Sequence, residues 1–120
     1  MRAALFQHVL EELAGSTADM EACALISTDG LMIASALPAG MDEDRVGAMS
    51  AALLSLGDRA VRELARGTLE RVLLQGDRGY VIMSSSGTEA VLTVLAKQNA
   101  KLGLLFLDIK RAAEALSKLI

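Results

Sequence analysis

Apolar side chains recur with helical spacing near the start of the chain. They form one stripe at Leu5, Phe6, Val9, Leu10 and Leu13. Such a stripe is typical of an amphipathic helix that packs against a core. The run Gly15-Ser16-Thr17 follows directly and contains residues that end helices. The pattern therefore predicts a helix over residues 2–14.

Two apolar runs, at residues 20–27 and 31–36, flank the sequence Thr28-Asp29-Gly30. An Asp-Gly pair between apolar runs is a strong hairpin signal, because glycine accepts a positive φ without steric cost. Pro38, the only proline of the chain, follows the second run and interrupts it. We expect two antiparallel strands joined by a tight turn.

A long helix is predicted over residues 42–66. Asp42 is placed to cap its N-terminus, and the two acidic residues that follow favour the positive end of the helix dipole. Gly67 stands where a glycine commonly ends a helix. Between these ends, residues 46–57 carry no charge on any side of the helix.

The two sides of this long helix carry different kinds of residue. We expect the larger side chains to face the protein's own sheet, at Val46, Met49, Leu53, Leu56, Ala60 and Leu64. The other side is small or apolar, at Gly47, Ser50, Ala51, Leu54 and Ser55. A helix covered on one side only would show charge on the other. We therefore expect this helix to be buried twice, once by its own sheet and once by a partner.

Three more strands are predicted at residues 68–75, 80–85 and 90–96, followed by a closing helix from residue 102. The last two strands are apolar on both alternating faces, as in a sheet covered on both sides. Glu70 and Arg71 interrupt the first, and charge within a strand is typical of an edge. The order α-β-β-α-β-β-β-α predicts an α/β sandwich of the α+β type: one domain over residues 1–120, with helices on both faces of a five-stranded, mostly antiparallel sheet.

Composition excludes several classes of protein. Hydrophobic residues make up 52% of the 120 positions, which excludes disorder. A net charge of −3 and only three aromatic residues argue against nucleic-acid binding. No uncharged stretch approaches the roughly 20 residues of a membrane span, and no secretory signal is recognisable. The single cysteine fits a reducing compartment, so we expect a cytoplasmic protein that does not insert into membranes.

The residues that could carry chemistry each have a simpler structural explanation. His8 lies beside the apolar stripe of the first helix, and Cys23 lies within a predicted strand. Ser84-Ser85-Ser86-Gly87 lacks the lysine of a phosphate loop and the pattern of a nucleophile elbow. The acidic residues 42–44 are explained by the helix dipole. We predict no catalytic residue, no metal ligand and no cofactor site, and hence no enzyme.

An edge strand next to a helix with an uncharged side indicates self-association. Residue 67 joins the long helix to strand 68–75, so the helix and the strand could belong to one surface. A two-fold interface would pair strand 68–75 with its symmetry mate and pack the long helix on its own copy. The predicted homodimer interface consists of Gly47, Ser50, Ala51, Leu54, Ser55, Asp58, Leu69, Arg71 and Leu73.

The order of elements and several motifs resemble the Roadblock/dynein light chain domain family over nearly the whole chain. The motifs are the hairpin ALISTDGLMIA at residues 24–34, AMSAALL at 48–54, LERVLLQG at 69–76, AVLTVLA at 90–96 and KLGL at 101–104. The resemblance implies a dimer whose sheet continues across both copies, with the central helices side by side.

The resemblance also implies a regulator or platform for a Ras-like small GTPase, without an active site of its own. We expect the GTPase to bind in the groove between the two central helices of the dimer; no contact residue is predicted. The resemblance also allows for a regulator that stimulates GTP hydrolysis by its partner GTPase. A scaffold subunit without a nucleotide-dependent partner and a small-molecule sensor domain are the alternatives.

Overall fold

The computed structural model describes residues 2–120, which form three helices and five strands. The elements are α1 (Arg2–Ser16), β1 (Met20–Ser27), β2 (Met32–Ala36), α2 (Glu43–Glu63), β3 (Val72–Gly76), β4 (Gly79–Ser86), β5 (Ala90–Lys97) and α3 (Leu102–Ser117). The predicted order of elements and the α+β class are confirmed.

The last strand of the chain, β5, lies at the centre of the sheet. The strand order is β2-β1-β5-β4-β3, and all neighbouring strands are antiparallel. In β5, Leu92 pairs with Leu25 of β1 on one side and with Ser84 of β4 on the other. A central strand is covered on both faces, which explains why β5 carries apolar residues on both of its faces. The two edges of the sheet are β2 and β3.

Helices α1 and α3 cover one face of the sheet, and α2 covers the other. The larger core lies under α1 and α3, where Leu10 and Leu116 have no exposed surface. The smaller core lies under α2, where Leu54 packs with Met83 and Val91. Within residues 2–120, no helix is both long enough and apolar enough to cross a membrane.

The N-terminal half of α2 is held close to the hairpin turn. Asp42 caps the helix as predicted, because its carboxylate accepts a hydrogen bond from the N–H of Arg45 at 3.1 Å. One turn later Gly47 touches the turn itself: a β-carbon there would lie 2.4 Å from the carbonyl oxygen of Gly30. Gly30 has a φ of +90°, as the predicted turn requires. The contact between these two glycines determines how near α2 comes to the sheet.

The C-terminus of α2 lies earlier than predicted. The helix ends at Glu63 rather than at residue 66. The N–H of Arg66 donates to the carbonyl of Val61 at 2.7 Å, which is the six-to-one bond of a Schellman motif. Ala65, with a φ of +57°, therefore holds the position that the prediction assigned to Gly67.

Other boundaries differ by a few residues from the prediction. Helix α1 continues to Ser16, and β3 begins at Val72 instead of residue 68. The residues between α2 and β3 are irregular because the helix ends early and the chain must turn before it reaches the sheet edge. The predicted edge position of this strand is confirmed.

The Gly47 contact gives a stability prediction. We expect Gly47→Ala to lower the free energy of unfolding by about 1–3 kcal/mol, because the new methyl group overlaps backbone that cannot move freely. The control is Gly15→Ala in α1, where nothing lies within 4 Å of the added atom. That change should raise stability by up to about 1 kcal/mol through helix propensity. Urea unfolding measures both, and a Gly47→Ala protein as stable as wild type would contradict the close contact.

Candidate functional site

The two sides of α2 are oriented opposite to the prediction. Gly47, Ser50 and Leu54, which were predicted to bind a partner, are the buried residues of α2 and face the protein's own sheet. The hydroxyl of Thr93 in β5 donates to the hydroxyl of Ser50 at 2.8 Å. The small residues Gly47 and Ser50 let the helix approach the sheet closely. These three residues are thus covered by the sheet of their own chain, and their assignment to the dimer interface stays a prediction.

Of the stripe that was predicted to face the sheet, Val46 and Leu53 are half-buried and Leu53 packs against the core under α2, whereas the other four residues are exposed. Met49, Leu56 and Leu64 are 52%, 62% and 68% exposed. They lie on one side of the helix, and we call them the apolar stripe. Helix α2 thus has apolar residues on both sides, as the absence of charge indicated, but the larger ones are outside. Exposed apolar residues that lie next to one another are typical of an interaction site.

The apolar stripe borders a groove between α2 and the far end of the sheet. This α2–β3 groove has a volume of about 520 Å³, and its apolar lining includes Met41, Met49, Leu53, Leu74, Val81 and Leu95. Leu74 comes from the edge strand β3 and is 40% exposed. Met49 of the apolar stripe and Leu74 of β3 both line this groove, so that the groove connects the stripe at Met49 with the edge strand.

Three other predicted interface residues, Ala51, Ser55 and Asp58, lie on the opposite flank of α2. They line a second groove together with hydroxyl-bearing residues such as Thr28 and Thr88. Asp58 forms an ion pair with Arg62 one turn away, at 3.2 Å. These residues are therefore separated by α2 itself from the α2–β3 groove.

The last three predicted interface residues point in different directions. Leu69 packs into the small core beneath α2. The guanidinium of Arg71 lies 4.3 Å from the centre of the Phe106 ring, on the α3 side of the sheet. Leu73 pairs with Ile82, whose side chain belongs to the core under α1 and α3. Leu54 and Leu69 also line the second groove, so five of the nine predicted residues lie together there, whereas Gly47, Ser50, Arg71 and Leu73 lie elsewhere.

Sequence reasoning missed Met41, Leu74, Val81 and Leu95 as surface residues of the groove. A signal was present, because β3 and β4 carry apolar residues at consecutive positions, so that each strand has apolar residues on both of its faces. The missing information was the position of α2. This helix leaves the β3 end of the sheet face that it covers open to solvent.

The outer edge of β3 has no hydrogen-bond partner among the described residues. Within residues 2–120, neither a side chain nor a loop donates to it or accepts from it. All but the first of its residues are exposed. An edge with free N–H and C=O groups can be extended by another strand.

The candidate chemical groups have structural roles. Cys23 is fully buried, and its thiol lies 3.5 Å from the carbonyl of Leu10. His8 pairs with Glu12 at 2.6 Å on the exposed side of α1. The hydroxyl of Ser86 donates to the carbonyl of Ala113 at 2.7 Å. Within the described part of the chain, no group of three His, Cys, Asp or Glu residues could hold a metal ion.

A small α+β sandwich with a solvent-facing apolar helix beside an open sheet edge defines a class of domain suited to binding other protein chains. The chain belongs to the Roadblock/LC7 domain family, whose family model matches residues 6–96.

Relatives and solved structures agree with this assignment. The uncharacterized protein MJ1340 of Methanocaldococcus jannaschii is 37% identical over 110 residues, which cover 92% of this chain and 95% of that protein. Myxococcus xanthus MglB has a TM-score of 0.88 at 20% identity and covers 98% of this chain and 92% of its own. An MglB solved in a tetrameric arrangement also has a TM-score of 0.88, at 24% identity, covering 98% and 89%. At these identities the two MglB structures show the fold.

Burial of Cys23 gives a prediction for alkaline pH. Desolvation raises the pKa of its thiol from 9.0 to about 11. The unfolded chain loses this proton first, so the free energy of unfolding should fall as the pH rises between these two values. Urea unfolding of wild type and Cys23→Ala at a series of pH values measures the effect. We expect the wild type to lose stability more steeply, and parallel pH profiles would contradict this prediction.

Proposed function

We propose that this protein is a homodimeric, non-enzymatic module that binds a Ras-like small GTPase. The observation that carries the proposal is the exposed apolar stripe of α2, which is continuous through the α2–β3 groove with the open edge of β3. Membership of the Roadblock/LC7 family supports the choice of partner.

The geometry of a dimer follows from the open edge. If β3 pairs with β3 of a second copy about a two-fold axis perpendicular to the sheet, the sheet continues across both copies. Both α2 helices then lie on the same face of that sheet, beside each other. Their apolar stripes would cover each other and the exposed Leu74, which removes the largest apolar surface of α2 from water.

The GTPase is proposed to bind across the two neighbouring α2 helices. Neither copy needs a catalytic group of its own, since a regulator of this kind acts on the residues of the GTPase. The buried thiol of Cys23 and the local ion pair of His8 agree with a role in binding rather than in catalysis. A single reduced cysteine fits action in the cytoplasm.

The dimer surface can be tested with a charged residue in the apolar stripe. We expect wild type to have the mass of two chains and Leu56→Glu to have the mass of one, because the carboxylate would be buried without a partner in the dimer. Sedimentation equilibrium gives the masses, and circular dichroism confirms that the variant is folded.

Leu104→Glu is the matched control. Leu104 lies on α3, on the opposite face of the sheet, and is 64% exposed, nearly the same as Leu56. This variant should remain a dimer. A folded Leu56→Glu protein that is still dimeric would count against α2 as the contact.

GTPase binding needs a separate experiment. We would immobilise wild type, Leu56→Glu and Leu104→Glu, and capture partners from a lysate of the producing cells loaded with GDP or a non-hydrolysable GTP analogue. We expect wild type and Leu104→Glu to retain a small GTPase in one nucleotide state, and Leu56→Glu to lose it. The purified GTPase then allows its rates of hydrolysis and nucleotide exchange to be measured with and without this protein.

The outcome separates regulator from scaffold. A partner retained equally with both nucleotides would favour a scaffold subunit. A cognate GTPase that neither binds nor changes its rates would end the GTPase part of the proposal and leave the dimer unaffected.

A further inference from the structure

The two edges of the sheet are not equivalent. The outer edge of β3 has no hydrogen-bond partner within residues 2–120, whereas the edge strand β2 is contacted by a side chain from α1. An open strand edge is a template for association with another chain, and proteins protect edges that must stay single.

The protecting side chain is Gln7. Its amide nitrogen, Nε2, donates to the carbonyl oxygen of Ser35 at 2.7 Å. The backbone N–H of Ser35 donates in return to Oε1 of Gln7, at 3.4 Å. One side-chain amide therefore satisfies both backbone groups of one residue. Two opposite residues of an antiparallel pair exchange hydrogen bonds in the same way, so Gln7 occupies the place of a neighbouring strand.

Further contacts hold this arrangement in place. Glu11, one helical turn along α1, accepts from the same Nε2 of Gln7 at 3.4 Å. The hydroxyl of Ser35 donates to a carboxylate oxygen of Glu43, at the start of α2, at 2.6 Å. Ser35 is thus held by α1 at the edge and by α2 through its side chain. Pro38, shortly after the strand, has no N–H to offer.

We infer that Gln7 closes the β2 edge and thereby limits association through the sheet to β3, so that assembly ends at two copies. A sheet with two open edges can join β2 of one copy to β3 of the next, which is a contact that does not close on itself and continues into chains. With one edge occupied, only the symmetric β3 contact is available. This inference rests on the β3 pairing of the proposed function.

The test is removal of the amide. Gln7→Ala keeps a good helix former in α1 but leaves the N–H and C=O of Ser35 without their partner. We expect its weight-average mass to exceed two chains and to increase with protein concentration. Gln98→Ala is the control, because it removes the same side chain from an exposed turn after β5. That variant should keep the mass of wild type at every concentration.

A second measurement reports on the edge directly. In wild type, hydrogen exchange of the Ser35 amide should be slow, and Gln7→Ala should accelerate it by about tenfold, since the amide loses its acceptor. Gln98→Ala should leave that rate unchanged. Circular dichroism and urea unfolding establish that both variants are folded.

The results distinguish this inference from the dimer proposal. If wild type and Gln7→Ala are both dimers at all concentrations, the closure of β2 by Gln7 is wrong and the β3 dimer stands. If wild type is a monomer, the β3 dimer is wrong. In that case Gln7→Ala must still associate more strongly than wild type for the closure to hold.

Discussion

The close approach of α2 to the hairpin turn is the constraint on which the rest of the surface depends. No side chain fits between Gly47 and the Gly30 carbonyl, so the helix backbone lies against the turn. The side of the helix that carries Gly47, Ser50 and Leu54 must therefore face the sheet. This contact determines the rotation of α2 about its axis and, with it, the residues that the helix presents to solvent.

That rotation explains why a small protein exposes so much apolar surface. A helix with apolar residues on both sides can bury only one of them in its own domain, and here the buried side is the one with small residues. Met49, Leu56 and Leu64 are left exposed on the helix, and the outer edge of the neighbouring β3 has no hydrogen-bond partner within residues 2–120. The proposed association with a second copy would satisfy both features together, because pairing of β3 would bring the two α2 helices side by side.

The two edge strands of the sheet have different environments. At β3 the edge is bare, and its side chains continue into an apolar groove. At β2 the amide of Gln7 replaces a neighbouring strand, and Glu43 holds Ser35 through its hydroxyl. According to the inference drawn above, these unequal edges would allow assembly through β3 and prevent it through β2.

Local pattern in the sequence determined the elements of this protein. Apolar spacing, the Asp-Gly turn and the Asp42 cap predicted the order of helices and strands, the bounds of β1 and the edge position of β3, since each depends on neighbouring residues. Tertiary structure alone decided the rotation of α2 about its axis. Both sides of this helix are apolar, so hydrophobicity does not show which side faces the sheet. The contact of Gly47 with the carbonyl of Gly30 does. It also decided the early end of α2 at Glu63 and the pairing of Gln7 with Ser35. The last joins residues 28 positions apart, which no local pattern encodes.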